Sequence, residues 1–479
     1  MHRLATIPGG WTPDTEGVIF IQQRPAPLVF LTAADTDIQL LATAKTRLAD
    51  DFPALRVANL LQLQQHLAID TYAEEVLSQA QGIVLRLLGG RAYWPYGLEV
   101  VKQTVKNTGA TLFVLPGDDR PDPDLMSHST VSLAEVDRLW RYFTEGGVEN
   151  TVSALQFFAN RCLQTTYQPA SPQMIPRVGV YQWQPQNQNS ASAKTSVATA
   201  KVGILFYRAH YLAGNTAPID ALCQALVDRQ LHPVPLYASS LRDPDVQADV
   251  LQIFQDGVQS HAQSNPASIQ VLLNTTSFSL AKLDTETPNL DLWQQLNVPV
   301  IQVILSGGTL EQWQQTQGLS PRDMAMNVAL PEVDGRIISR AVSFKSVQKW
   351  HEALEVEVVG YEPVADRVEF VADLAANWAK LRQTPTHERK IALILANYPT
   401  RDGRLANGVG LDTPASCIAI LQALQQQGYQ VSNIPSTGDE LIQHLTNGIT
   451  NDPEGQDLRS VQQSLDWADY QSYFTSLPQ

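Results

Sequence analysis

Several short stretches of the chain carry side chains able to do chemistry. Gly89-Gly90-Arg91-Ala92-Tyr93-Trp94-Pro95-Tyr96 offers a cation at Arg91 and aromatic rings at Tyr93 and Trp94. Those rings serve either as an exposed platform or as core packing beneath a loop. Pro116-Gly117-Asp118-Asp119-Arg120-Pro121-Asp122-Pro123 gathers carboxylates in a proline-fixed turn. Asp118 and Asp119 are the candidate oxygen ligands for a divalent cation, although the spacing is not that of an EF-hand. A solvated turn is the alternative.

His210 lies close in sequence to Arg208 and Asn215. A histidine in a loop after a strand can shuttle a proton. No second histidine or cysteine stands at metal-ligand spacing beside it. Glu332 and Asp334 are two residues apart, so an extended backbone would put both carboxylates on one side, as acid–base or cation-handling work would need. A glycine-rich loop runs through Asn397, Tyr398, Arg404 and Asp412. It reads as a strand-to-helix connection, the context of a phosphate cradle. Gly403, Gly408 and Gly410 do not fit GxGxxG, and no Gly-Lys-Ser/Thr is present, so a substrate- or partner-facing loop or a structural connection fits better than a nucleotide site. Capping the following helix is the alternative role for Asp412. No GxSxG, HExxH or Cys-His nucleophile pattern stands out.

The elements that must position these groups read as α/β. Apolar runs begin near residues 28, 55, 83 and 111, about one strand–helix unit apart, as in a parallel sheet with helices on its faces. In such a unit the loops after successive strands open at one edge, where ligands of open α/β sheets sit. A helix is expected over 97–108 with Gly109 at its cap, and a helical region over 133–165. Residues 169–200 are rich in Pro, Gln and Ser and read as a linker or flexible excursion. Strands are then expected at 202–206, 234–237, 269–273, 300–305 and 325–330, with helices at 218–228 and 363–382. A third unit is expected to open with a strand at 390–396 and to continue with a helix at 415–427 and a strand at 431–434. The expected organisation is a head domain 1–168, the linker 169–200, a second α/β domain 201–385, and the start of a third, cut short, over 386–479. The expected fold class is successive doubly wound, flavodoxin-like parallel sheets.

Composition narrows the function. The 479 residues carry a formal charge of −15, which disfavours nonspecific binding to nucleic acid or anionic lipid. The cysteines, Cys162, Cys223 and Cys417, are scattered and form no CxxC, which points to a reducing cytoplasm. No run approaches the roughly 20 apolar residues of a membrane span, and the N-terminal residues do not read as a secretory signal.

Several of these segments resemble one family. They are FLTAADTD (30–37), LLQL (60–63), LLGGRAYWPYG (87–97), LPGDDRPDP (115–123), RAHYLAGNTAPIDAL (208–222), ALPEVDGRIISRAVSFK (329–345) and LANYPTRDGRLANGVGLDTPAS (395–416). Together they are similar to the N-terminal portion of the large, CobN-type subunit of aerobic cobaltochelatase, related to the H subunit of magnesium chelatase. The resemblance implies a tetrapyrrole-binding subunit at which Co²⁺, the substrate metal, enters hydrogenobyrinic acid a,c-diamide. It implies that ATP is hydrolysed by AAA+ partner subunits, CobS/CobT-like or magnesium-chelatase I/D-like, and is not bound here. No tightly held cofactor is expected. The resemblance also implies that most metal-insertion residues lie beyond Gln479. It leaves open a non-catalytic tetrapyrrole-binding or ATPase-docking module, and a magnesium-chelatase H-like role with Mg²⁺ and protoporphyrin IX.

Overall fold

The computed structural model describes residues 18–117, 119–185, 200–256, 268–280, 290–316, 318–398 and 400–477. The chain divides into two compact units, residues 1–379 and 380–479.

The first sheet is built from β1 (Leu28–Thr32), β2 (Leu55–Asn59), β3 (Gly82–Leu87) and β4 (Thr111–Pro116). All its pairings are parallel, in the order β2-β1-β3-β4. The helices between them are α1 (Asp35–Lys45), α2 (His66–Glu75) and α3 (Pro95–Thr108), followed by the short α4 (Pro123–Met126), α5 (Leu133–Glu145) and α6 (Val148–Leu163). Side chains alternate along β1. Leu28 and Phe30 join the core beneath α1, α5 and α6, whereas Val29 and Leu31 join the core beneath α2 and α3. Burial on both faces explains why these strands read as near-continuous apolar runs. Ser132 and Glu135 form a capping box at the start of α5, and Gly109 ends α3 in the left-handed region at φ 76°.

The second sheet contains β5 (Val178–Val180), β6 (Lys201–Tyr207), β7 (His232–Ala238), β8 (Val271–Asn274), β9 (Val300–Leu305), β10 (Ile337–His351) and β11 (Val356–Pro363). Its order is β11-β10-β9-β8-β6-β7-β5. The core from β7 to β10 is parallel; β5 and β11 run antiparallel at the edges. Helices α7 (Arg208–Ala213), α8 (Ala217–Asp228), α9 (Pro244–Asp256), α10 (Asp291–Leu296), α11 (Leu310–Gln315), α12 (Pro321–Asp323), α13 (Leu330–Val333) and α14 (Ala365–Gln383) accompany it. In the first sheet β1 lies between β2 and β3, and in the second β6, the first of its parallel strands, lies between β7 and β8, so the strand order reverses at β1/β3 and at β6/β8. The doubly wound, flavodoxin-like expectation holds, with antiparallel edges added to the second sheet.

The β10–β11 hairpin joins the two halves of this unit. Its tip donates no side chain to its own sheet's core; instead Leu354 and Val356 enter the core of the first sheet. Glu355 accepts from Arg24 Nε at 2.5 Å and lies 3.2 Å from Arg56. Val57 N donates to Leu354 O, and Gln39 Nε2 to Val359 O at 2.7 Å.

Several expectations fail, each for a local reason. Val178–Val180, inside the expected linker, is the edge strand β5, because an antiparallel partner is available on β7; residues 186–199 lie outside those described. The segment expected as a strand at 325–330 is instead a π-helical turn, Met324–Ala329, continuous with α13. The expected loop after β6 is the short helix α7.

The second unit contains α15 (Thr413–Gln426), α16 (Gly438–Thr446) and α17 (Trp467–Ser476). The expected strands at 390–396 and 431–434 pair with no neighbouring strand among the described residues. Their apolar side chains are largely outward, with Ile394 91% exposed. A β-like sequence without a ladder partner does not make a sheet. Among the described residues, no helix is long and apolar enough to cross a membrane.

Candidate functional site

The carboxyl ends of both sheets open onto one cleft within the first unit. It is lined by Ala33–Thr36 after β1, Leu88 after β3, His210 and Asn215 after β6, Arg322 between β9 and β10, Lys345 on β10 and 359–361 on β11. Its volume is about 190 Å³. The β1/β3 reversal of the first sheet therefore opens into it, the position the ligand rule for open α/β sheets selects, and the second sheet adds the loop after β6.

Charge in the cleft is placed by secondary structure. Asp35 opens α1, and its Oδ2 lies 2.5 Å from Lys345 Nζ. Burial alone would lower the Lys345 ammonium, but the Asp35 carboxylate and Tyr361 hold it above its ordinary value. Arg322 is carried by α12, which is fixed through the neighbouring Asp323. That carboxylate accepts from Ser306 Oγ at 2.7 Å, Gly307 N at 3.1 Å and Asn327 Nδ2 at 3.1 Å. The π-helical turn that follows is a distortion often found at functional sites.

His210 sits between two tyrosine rings, 5.9 Å from Tyr207 and 5.4 Å from Tyr361, both edge-on. Its Nδ1 is shielded from solvent and has no hydrogen-bond partner among the described residues. Burial, with Lys345 nearby, pushes its pKa down to about 4, so it is neutral near pH 7. Asn215 Oδ1 accepts from Tyr361 N at 3.1 Å and ties the β6 loop to β11. Tyr93 is half-buried, its hydroxyl shielded and without a hydrogen-bond partner among the described residues; burial pushes its pKa up to about 12, against the opposing field of Arg322.

The sequence candidates separate clearly. His210, Asn215 and Tyr93 come together around or beside this cleft. Arg208 does not: its guanidinium donates to the carbonyls of Thr144, Glu145, Ile175 and Pro176, clamping the end of α5 to the segment before β5. Trp94 is buried, with Nε1 donating to Leu63 O at 3.0 Å, so it is core rather than platform. Arg91 is exposed and 3.7 Å from Glu99. Asp119 is a surface carboxylate 3.8 Å from Arg177, and Asp118 lies outside the described residues. Among the described residues, no group of three or more His, Cys, Asp or Glu side chains is placed to hold a metal.

Glu332 and Asp334 do not face one side, because helix α13 replaces the expected extended backbone. Glu332 is exposed, whereas Asp334 is buried. Asp334 Oδ2 accepts from Arg336 at 2.6 Å and Oδ1 from Ser279 Oγ at 2.5 Å. Arg336 also donates to Gln302 Oε1, itself bonded to Asn274. This is a buried brace under the ends of β8 and β9, not an acid–base pair.

In the second unit, Asn397 Nδ2 donates to Asn451 Oδ1 at 2.9 Å, while Tyr398 and Arg404 are exposed. Asp412 caps α15 through Ala415 N at 3.0 Å. The loop is pinned by Asp402, which pairs with Arg459 at 2.5 Å and accepts from Thr450 at 2.8 Å.

Sequence reasoning did not single out Asp35, Arg322, Lys345 or Tyr361. Asp35 and Lys345 lie inside the segments 30–37 and 329–345 that carried the family resemblance, a signal that was available. Arg322 and Tyr361 carry no local pattern of their own.

Comparison with known proteins agrees with the resemblance. The family model described as CobN/Magnesium Chelatase matches residues 140–479. The aerobic cobaltochelatase subunit CobN of Pseudomonas aeruginosa is 43% identical over 484 residues, covering 100% of this chain and 37% of that protein. CobN of Sinorhizobium sp is 40% identical, covering 98% of this chain and 36% of the relative. The solved catalytic subunit of cobaltochelatase from Mycobacterium tuberculosis superposes with a TM-score of 0.58 at 28% identity, over 94% of this chain and 34% of that one. The chain thus spans little more than a third of the length of these relatives. On the family match and the full-span identity together, the chain belongs to the CobN/magnesium chelatase family.

Proposed function

We propose that this chain is the N-terminal part of the tetrapyrrole-binding large subunit of a cytoplasmic, ATP-dependent cobaltochelatase, a ligase forming nitrogen–metal bonds. Its substrates are Co²⁺ and hydrogenobyrinic acid a,c-diamide. ATP is hydrolysed by AAA+ partners of the CobS/CobT type, and this chain holds no tightly bound cofactor. The observation that carries the reading is the 43% identity to a CobN subunit along the whole chain. The cleft supports it by placing polar groups where an α/β fold takes its ligands.

Insertion requires loss of the macrocycle's inner N–H proton and desolvation of the metal. In this reading the cleft contributes binding and orientation. His210 is held neutral by burial, while Lys345 and Arg322 face anionic groups of the macrocycle. Arg91, Tyr93, Asn397, Tyr398 and Arg404 serve on substrate- or partner-facing loops. Residues 1–168 form the head, 201–385 a second α/β domain and 386–479 the beginning of a third.

The volume of about 190 Å³ supports a second reading, a module that holds the tetrapyrrole without inserting metal. Pockets that enclose a drug-sized ligand are larger, about 300–1,000 Å³. Titration of the purified chain with hydrogenobyrinic acid a,c-diamide, followed by absorption, tests both readings. A spectral change saturating in the micromolar range is expected, and none at tens of micromolar removes both. Adding Co²⁺, ATP and the AAA+ partners then separates them, since only the chelatase reading yields cobalt-containing product.

A further inference from the structure

The cleft contains an unusual imbalance of hydrogen bonds rather than of charge. Asp35 and Lys345 neutralise each other at 2.5 Å. Asp323 compensates Arg322 formally, but its oxygens are occupied by Ser306, Gly307 and Asn327. Among the described residues, no carboxylate is within ion-pair distance of the Arg322 guanidinium, and no hydrogen bond satisfies it. Two shielded polar atoms nearby, Tyr93 Oη and His210 Nδ1, are also without a hydrogen-bond partner among the described residues. Buried polar groups are ordinarily paired, so the two shielded atoms call for a partner.

We infer that this cleft is a carboxylate subsite, in which Arg322 receives one peripheral carboxylate arm of the tetrapyrrole and the Lys345–Asp35 pair fixes the floor beneath it. The inference rests on the tetrapyrrole reading above and names the part of the ligand that enters. The size agrees: about 190 Å³ admits an acetate or propionate arm but not the macrocycle that bears it. The chemistry agrees as well. A guanidinium presents a planar fork of N–H donors that matches the two oxygens of a carboxylate, and such charge-assisted pairs are the strong ones. Tyr93 supplies a neutral hydroxyl donor. Its raised pKa keeps it protonated throughout the neutral range.

α12 is rigid enough to hold such a fork in place. Ser320 Oγ accepts from Asp323 N at 3.2 Å at one end, and Asn327 bonds back to Asp323 at the other. Arg322 is half-buried and has no hydrogen-bond or ion-pair partner among the described residues, so its removal leaves none of them with a buried unpaired group.

Two probes are titrated into the whole chain and into its Arg322→Gln and Arg322→Lys variants. One is hydrogenobyrinic acid a,c-diamide, as the free acid and with its carboxylates methyl-esterified. The other is glutarate, read by its shift of the thermal midpoint. The free acid is expected to bind the unmodified chain at least ten-fold more tightly than the ester. Arg322→Gln should erase that preference and the glutarate shift while leaving the ester's affinity unchanged, and Arg322→Lys should restore part of both. If the acid binds the Gln variant as tightly as it binds the unmodified chain, the subsite is refuted and the tetrapyrrole reading stands. Glutarate binding that depends on Arg322, with no macrocycle binding, supports a carboxylate site and refutes the tetrapyrrole reading. A chain that takes neither probe refutes both.

Discussion

Lys345 Nζ lies 2.5 Å from Asp35 Oδ2, and 310 residues of chain separate the two. The long hairpin of the second sheet is thereby ion-paired to the first strand–helix junction of the first. Both side chains are largely shielded, at 18% and 16% exposure. Removing one partner leaves a poorly solvated charge, whereas removing both leaves none. Asp35→Asn should therefore cost about 2–4 kcal/mol, below the upper end for a fully buried pair, and Asp35→Leu with Lys345→Met should cost less. Urea unfolding midpoints of the single and double variants measure the difference. The raised pKa of Lys345 fixes the sign of the pH dependence. Its stabilisation is fully present below the unfolded lysine value, about 10.4, and is lost as pH rises through the folded value.

Asp334 and Glu332 provide a matched pair of opposite expectations. Asp334 is 0% exposed at the side chain and bonded to Arg336, Ser279 and Leu280. Glu332 is in solvent. Asp334→Asn should destabilise by about 3–5 kcal/mol, because Arg336 then stays buried without its counter-charge. Glu332→Gln should change stability by less than about 0.5 kcal/mol. Thermal denaturation of the two proteins side by side is sufficient. Equal effects would mean that the brace is not a brace.

The sheet strands of the first unit were legible because burial on both faces leaves a plain apolar run, as in Val300–Leu305, where expectation and structure coincide. The site was less legible because its residues are local to nothing. Asp35 and Lys345 meet only through the hairpin, which no stretch between 336 and 363 was read to form. The Glu332–Asp334 expectation failed on one point of backbone: a spacing of two shares a face in a strand but not in a helix. The same limit applies at 390–396, where the composition of a strand is present but no strand among the described residues pairs with it. Family resemblance pointed to the right segments while leaving unsaid which side chain in each would matter.

Trp94 and Gly97 are coupled across the start of α3. A Cβ on Gly97 would fall 2.1 Å from Trp94 Cε2, inside the indole ring. Gly97→Ala should therefore destabilise by about 1–3 kcal/mol through overpacking. Helix propensity alone predicts a gain of about 1 kcal/mol, so the sign of the measured change in thermal midpoint decides which effect wins. Combining it with Trp94→Phe should recover part of the loss, because the smaller ring retreats from the new methyl group. The recovery is limited by the Trp94 Nε1 bond to Leu63 O that Phe cannot make.

His210 gives the prediction most closely tied to the cleft. Its folded pKa, near 4, lies below the ordinary histidine value of about 6.5. Between those two values the unfolded chain takes up a proton that the folded chain refuses. His210 therefore contributes stability that is fully present above about pH 6.5 and is lost as pH falls towards 4. One proton corresponds to at most about 1.4 kcal/mol per pH unit. Burial also lowers His128, His232 and His351, so the acid slope of the unmodified chain belongs to several groups. The informative quantity is the difference from His210→Gln, obtained by urea unfolding at pH 5 and pH 7. The variant should lose less stability on acidification than the unmodified chain does. Parallel losses would show that His210 is solvated or already paired, and would remove it as a desolvated, neutral group of the cleft.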